Sequence, residues 1–243
     1  MTEKGKNLVN TIRSYKFFNP EAFGNRTVVV IGAGAIGSHL IEQLARAGIW
    51  CIIVWDFDIV EEHNLQNQAF DRRHIGKKKV DAIMQIVAEA TGLELKTHDE
   101  KVDGSQKITA EAVFLVVDSF DARREIFEKA LEDSFTTEIV FDARMGPTSG
   151  QVHMIDPTDR EDCLRWKKTL YNDNDVVVEN ACRSKEAVGA TALGTVCHLV
   201  WQFFDWFAWK HGKGPKPVKI RQFNFSGTPT VFTNRDFEED DEE

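Results

Sequence analysis

An α/β fold, with a mainly parallel sheet covered by helices on both faces, is predicted by three observations. Short runs of consecutive apolar, mostly β-branched residues recur along the 243-residue chain. Segments with apolar residues at three- and four-residue steps lie between them, and the two kinds alternate in order. Strands that are apolar at every position need cover on both faces, which is the condition of a parallel sheet built from βαβ units.

Residues 27–31 (TVVVI) end at a glycine and read as the first buried strand. Ile36, Leu40, Ile41 and Leu44 then share one helical stripe, stopped by Gly48. Residues 51–55 (CIIVW) are a second strand, with Asp56 at its tip. Val80, Ile83, Met84 and Val87 put residues 77–90 in a helix. A third strand is predicted over 113–117, a helix over about 121–132, and a strand over 138–142. Residues 158–180 are polar and read as a long surface loop, and a helix is predicted from about 184 to 210. That last helix carries six aromatics within 201–209. Two readings of them are open: a core helix, or a subunit interface covering rings that one chain cannot bury. No internal repeat is visible.

Composition excludes several classes. Apolar residues make up 42% and charged residues 28%, as in an ordinary globular protein and unlike a disordered or collagenous one. No run of about 18 apolar residues occurs, and the start (MTEKGKNLVN) has no apolar signal core. Four cysteines stand far apart with no C-x-x-C pair, which predicts reduced thiols in a cytoplasmic protein without a cysteine-built zinc site. A net charge of −9 argues against a broad nucleic-acid footprint. The expected organisation is a single domain over residues 1–235 and then a disordered acidic tail, 236–243 (DFEEDDEE).

The first chemical signal is Gly32-Ala33-Gly34-Ala35-Ile36-Gly37, placed between a strand and a helix. Gly32 permits the tight turn, Gly34 lets a phosphate approach the backbone, and Gly37 lets the helix pack on the strand. The helix N-terminus offers N–H groups and a positive dipole end to an anion. Asp56, at the end of the second strand, stands where a carboxylate accepts from ribose hydroxyls. Taken alone, these features describe a Rossmann-like site for NAD.

The segment beyond Asp56 fits a nucleoside triphosphate better. Asn64 and Gln68 in N-L-Q-N-Q, and Lys79 at the end of G-K-K-K, supply amides and a mobile cation for phosphate. Asp118 ends the third strand, with Ser119 and Arg123 close behind. Ligands of open α/β sheets sit beyond the carboxyl ends of the strands, so Asp56, Asn64, Lys79 and Asp118 are expected to converge with the glycine loop in one crevice. An aspartate facing a triphosphate suits Mg²⁺.

The runs D-F-D-I-V-x-x-x-N-L-x-x-Q, G-K-K-K and V-V-D-S-F-D-A-R-R resemble the ThiF/MoeB family, adenylating enzymes related to ubiquitin-activating enzymes. The resemblance covers about residues 24–210. It implies ATP- and Mg²⁺-dependent adenylation of the C-terminal glycine carboxylate of a small ubiquitin-like protein or peptide, in a homodimer. By the same resemblance, Gly34 lies at the phosphates and Asp56 at the ribose, Asn64 and Lys79 contact the triphosphate, and Asp118 binds the metal. The family's thiol position matches Cys182 in NACRSKEAVGATALG.

Departures accompany the match. Asn67 stands where relatives commonly carry arginine, the N-terminal R-Y-x-R-Q segment is absent with Arg13 its nearest substitute, and the paired C-x-x-C zinc motifs are missing. Plainer readings stand beside the functional ones. Lys77, Lys78 and Lys79 also describe a solvated helix start, Asp58 a loop cap, and Asp118 a simple strand end. Arg123 has Asp121 as a local partner, and Arg144 is either a crevice residue or a surface charge. Cys182 is either a buried structural thiol or, with Arg183 and Lys185 lowering its pKa, a nucleophile that captures the acyl group. Cys51 and Cys197 read as core. Two other functions remain open: an NAD-dependent oxidoreductase, and a non-catalytic scaffold of the same fold.

Overall fold

The computed structural model describes residues 7–171 and 188–226, together with the backbone of residues 233–235. Eight strands form one sheet: β1 (Thr27–Ile31), β2 (Cys51–Trp55), β3 (Lys96–His98), β4 (Ala112–Leu115), β5 (Ile139–Met145), β6 (Ser149–Ile155), β7 (Ile220–Asn224) and β8 (Thr233–Arg235). Their order is β3-β2-β1-β4-β5-β6-β7-β8. The pairings from β3 through β5 are parallel, and those from β5 through β8 are antiparallel. The α/β, Rossmann-like architecture with a mainly parallel sheet is therefore confirmed, with an antiparallel extension that the sequence did not announce.

The helices are α1 (Pro20–Phe23), α2 (Ala35–Arg46), α3 (Lys79–Thr91), α4 (Phe120–Ile126), α5 (Arg160–Lys168) and α6 (Gly189–Lys210). Alternate residues of each central strand feed opposite faces, the period-two rule of a pleated sheet. Val28 and Val30 join Leu40, Ile41 and Leu44 of α2, Ile83 and Val87 of α3, and Phe203 of α6 in one core. Val29 and Ile31 join Phe120 and Ile126 of α4 and Trp166 of α5 in the other. Each such fully buried aliphatic or aromatic side chain contributes about 1.5–3 kcal/mol relative to exposure.

Two expectations need correction, and one open reading is decided. Residues 160–168 form α5 rather than a loop: Asp159 caps it by accepting from Glu161 and Asp162 N–H, and Cys163 and Trp166 give it a buried face that Leu170 continues just beyond its end. The predicted helix 121–132 changes register, with α4 ending at Ile126 and one π-helical turn over Phe127–Leu131. The aromatic run of α6 is mostly core: Phe203, Trp206 and Phe207 are buried, packing with Phe18, Phe23, Phe114 and Phe141, while Trp201 and Trp209 stay partly exposed. No helix among the described residues is long and apolar enough to cross a membrane. Cys182, Arg183, Lys185 and the acidic tail, residues 236–243, lie outside the described residues.

Candidate active site

The carboxyl ends of β1, β2 and β4 open into a cavity of about 860 Å³. Gly32, Gly34, Asp56, Asp58, Asn64, Asn67, Gln68, Lys79, Asp118, Ser119 and Arg123 all contribute to its wall. Residues far apart in the chain thus meet in one crevice, as the strand-end argument expected.

The glycine loop is held by its neighbours on both sides. Gly32 has φ +104°, a value that favours glycine, and donates its N–H to Trp55 O at 2.8 Å. A Cβ on Gly32 would stand 2.8 Å from Val116 O. Gly34 is different: a Cβ there would meet nothing within 4 Å, so its face is open to the cavity. Gly37 does not line the cavity; a Cβ there would sit 1.9 Å from Gly32 O, so this glycine lets α2 rest directly on the loop. Gly34 is the N-cap residue of α2 and brings no side-chain cap, which leaves the helix end without a resident acceptor.

Asp56 is nine-tenths buried and accepts from Ala33 N–H at 2.6 Å and Asp58 N–H at 2.8 Å. Burial pushes its pKa above the ordinary value, opposed by these two N–H groups and by the charge of Lys79. The carboxylate therefore ties β2 to the glycine loop. Lys79 is no solvated helix start: it is 6% exposed, and its Nζ donates to Asp58 Oδ2 at 2.8 Å. Lys77 and Lys78 are exposed and pair with Gln85 and Asp99. Asn64 is buried on a short 3₁₀ turn (Glu62–Gln66), where its Oδ1 accepts from Glu61 N–H at 2.8 Å. Gln68 adds a buried Oε1 with no hydrogen-bond partner, a polar atom available to a ligand.

Asp118 is exposed in the turn three residues beyond β4, directly before Ser119, whose Oγ accepts from Ala122 N–H at 3.0 Å and caps α4. Arg123 does not pair with Asp121. It is 2% exposed and forms an ion pair with Asp142 of β5 instead, while Arg124 takes Asp121 at 3.7 Å. Arg144 is a buried residue of β5 and donates Nε–H to the same Asp142 at 2.7 Å. Trp166 Nε1–H completes the set at 2.8 Å. Burial alone would raise the pKa of Asp142, but Arg123 and Arg144 outweigh it and hold the carboxylate well below its usual range. His153, opposite Asp142 in the β5–β6 register, is pushed down to about 3 by burial and by Arg144.

Sequence reasoning left out Phe57, Glu100 and Lys101, which also line the cavity, Lys101 Nζ standing 5.9 Å from the centre of the Phe57 ring. Glu100 and Lys101 come after β3, a three-residue strand with no apolar run to announce it. Among the described residues no group of three or more His, Cys, Asp or Glu side chains could hold a metal ion. A single exposed carboxylate beside an anion cradle does fit Mg²⁺, which takes one or two carboxylates and completes its shell with phosphate oxygens and water.

The family model described as ThiF family matches residues 17–237. The ubiquitin-like modifier-activating enzyme 5 of Bombyx mori is 35% identical over 208 residues, covering 76% of this chain and 50% of that protein. The protein of the same name from Dictyostelium discoideum is 30% identical over 131 residues, covering 47% of this chain and 34% of its own. The chain spans about half the length of the Bombyx relative. Among solved structures, that of E. coli MccB with ATP aligns with a TM-score of 0.66 at 16% identity, covering 88% of this chain and 65% of that one. PaaA aligns with a TM-score of 0.61 at 17% identity, covering 86% and 73%. At such identities the two structures show the shared fold.

Proposed function

Because the chain belongs to the ThiF family, we propose that it adenylates the C-terminal carboxylate of a small ubiquitin-like protein or peptide, with ATP and Mg²⁺. One observation carries the reading: an uncapped helix end, an open glycine, a buried lysine, three amide side chains and an aspartate beyond a strand end face one 860 Å³ cavity. A nicotinamide dinucleotide would use the glycine loop and Asp56 but would leave Asn64, Lys79 and Asp118 without a task. Relatives named as ubiquitin-like modifier-activating enzymes support the class of partner.

In this reading the open face of Gly34 and the N-terminus of α2 receive phosphate oxygens. Lys79 leaves Asp58 and turns its ammonium to the triphosphate, Asn64 and Gln68 orient it, and Asp56 fixes the loop beside the ribose. Asp118 holds Mg²⁺, which supplies charge neutralisation at the phosphates. The partner's carboxylate oxygen forms a bond to the α-phosphorus, the bond to the β-phosphate oxygen breaks, and pyrophosphate departs. No general base is needed, since a terminal carboxylate is ionised at pH 7. A thiolate, on Cys182 or on another protein, then bonds to the acyl carbon as the bond from that carbon to the phosphate oxygen breaks, giving a thioester and releasing AMP. A cytoplasmic homodimer of one catalytic domain per chain, with the acidic tail outside it, completes the proposal.

The test is exchange of labelled pyrophosphate into ATP, dependent on a small protein ending in glycine. Exchange that needs the partner's free C-terminus, together with ATP binding and no NAD binding by calorimetry, supports the reading. Tight NAD binding without ATP binding overturns it in favour of an oxidoreductase. ATP binding without exchange in the presence of the partner points to the scaffold.

A further inference from the structure

The adenylation reading gives no task to the buried charges around Asp142, of which Arg123 reaches the cavity wall while Asp142 and Arg144 do not line it. Asp142 is fully buried and takes two guanidinium groups and an indole N–H, from α4, β5 and α5. Arg123 reaches further: Nη1 also donates to Leu115 O at 3.1 Å, and Nη2 donates to Val117 O. These two carbonyls flank Val116, just ahead of Asp118 in the chain. Val116 is the residue whose carbonyl packs against Gly32. Arg144 extends the same network with Nη1 donating to Thr169 O at 2.9 Å.

We propose that the Arg123–Asp142 pair is a positioning device for Asp118: the guanidinium grips the backbone on either side of Val116 and thereby fixes the strand-end turn that presents the metal-binding carboxylate. The proposal rests on the reading of Asp118 as the Mg²⁺ ligand. A planar fork is required, because one nitrogen bonds Leu115 O and Asp142 while a second bonds Val117 O, and a single ammonium nitrogen cannot stand at both positions. Asp142 keeps the fork in register, since a buried guanidinium without its counter-charge would be forced to seek solvent. Trp166 restrains Asp142 from the opposite side, so α5 supports the grip without touching the cavity; Trp166 is fully buried and absent from its wall. Groups that orient a metal ligand from behind commonly change metal affinity by tenfold or more when altered.

The experiment measures Mn²⁺ binding by electron paramagnetic resonance on the full chain, in the presence of a non-hydrolysable ATP analogue, alongside metal-free binding of the analogue and the melting temperature. Asp118→Ala defines the metal site: Mn²⁺ binding that survives it overturns the metal reading and the device together. With that dependence in place, Arg123→Lys is expected to weaken Mn²⁺ binding on the order of tenfold while metal-free analogue binding changes less than about threefold. Trp166→Phe keeps an aromatic ring and removes the N–H. It provides a folded variant should Arg123→Lys fail to fold, and is expected to weaken Mn²⁺ binding by about threefold. Mn²⁺ affinity equal to the parent's in Trp166→Phe, or in a folded Arg123→Lys with only a lower melting temperature, overturns the proposal and leaves the pair a structural tie.

Discussion

Gly34 and Gly37, one turn apart at the start of α2, offer a sharp test of how the nucleotide cradle is built. Adding one methyl at Gly37 brings it to 1.9 Å from Gly32 O and 2.8 Å from Gly32 C, both backbone atoms. Ordinary contact starts near 3.4 Å, so either α2 or the loop must move by well over an ångström. The loop has nowhere to retreat, because Gly32 already packs against Val116 O and is bonded to Trp55 O at 2.8 Å. Overpacking of this kind costs about 2–3 kcal/mol, which for a domain of this size lowers the melting temperature by about 4–12 °C. Gly34→Ala is the opposite case. Its φ is −81°, outside the left-handed region, and the methyl meets nothing within 4 Å. The fold should keep its melting temperature within about 2 °C, while the methyl stands where a phosphate oxygen approaches and weakens ATP by about tenfold, or 1.4 kcal/mol. Thermal melts and calorimetric titration with MgATP on the two variants decide the matter. Equal thermal losses in both, or parental ATP affinity in Gly34→Ala, would refute the division of labour between an anion cradle and a packing contact.

Other outcomes rest on the same geometry. Asp118→Ala should abolish pyrophosphate exchange and leave the melting temperature unchanged, since an exposed strand-end side chain removes no packing; retained exchange counts against its role. Asp58→Asn should strengthen triphosphate binding by about two- to fivefold at low salt, because the half-exposed pair that restrains Lys79 carries at most about 1 kcal/mol and must be broken on binding; a weaker affinity would show instead that Asp58 contacts the ligand. The pKa of His153 is lowered to about 3, so the unfolded chain binds the extra proton between there and its ordinary value of 6.5. Stability therefore rises with pH across that window and is lost as pH falls below 6.5. His153→Gln should flatten the fall between pH 6.5 and 4 by up to about 1 kcal/mol per pH unit, read from urea melts; parallel profiles would exclude the histidine. Light scattering should give twice the 27.6 kDa chain mass at micromolar concentration, and a monomer would count against the homodimer.

Most of the parallel half was legible because β1, β2 and β4 carry uninterrupted apolar runs, as in VVVI and CIIVW, whereas the short polar β3 was not. The antiparallel half was not: Gln151 and His153 interrupt β6, while Arg221 and Gln222 interrupt β7. Helix α5 hid for a related reason, since Cys163 and Trp166 are the only apolar side chains it buries and the rest of the segment is mostly charged. Of the nucleotide-site residues that the motifs named, all but Gly37 line the cavity. What spacing could not reveal was partnership. Asp142 lies 19 residues beyond Arg123, and only the adjacency of β4 and β5 brings them together.

The sheet order also dictates when the site can exist during folding. The hairpin of β5 and β6 closes over residues 146–148, a local event on the scale of microseconds. The glycine loop waits for one distant encounter: β1 takes Cys51 on one flank early, but must also take Ala112 on the other before Gly32 has both Trp55 and Val116 as walls. Loop closure over such separations is the slow part of folding. The cradle is thus among the last features to form, and nucleotide cannot assist the early steps. A chain emerging from a ribosome has no cradle until β4 and Asp118 are free to dock, so acquisition of nucleotide affinity marks the arrival of the native topology.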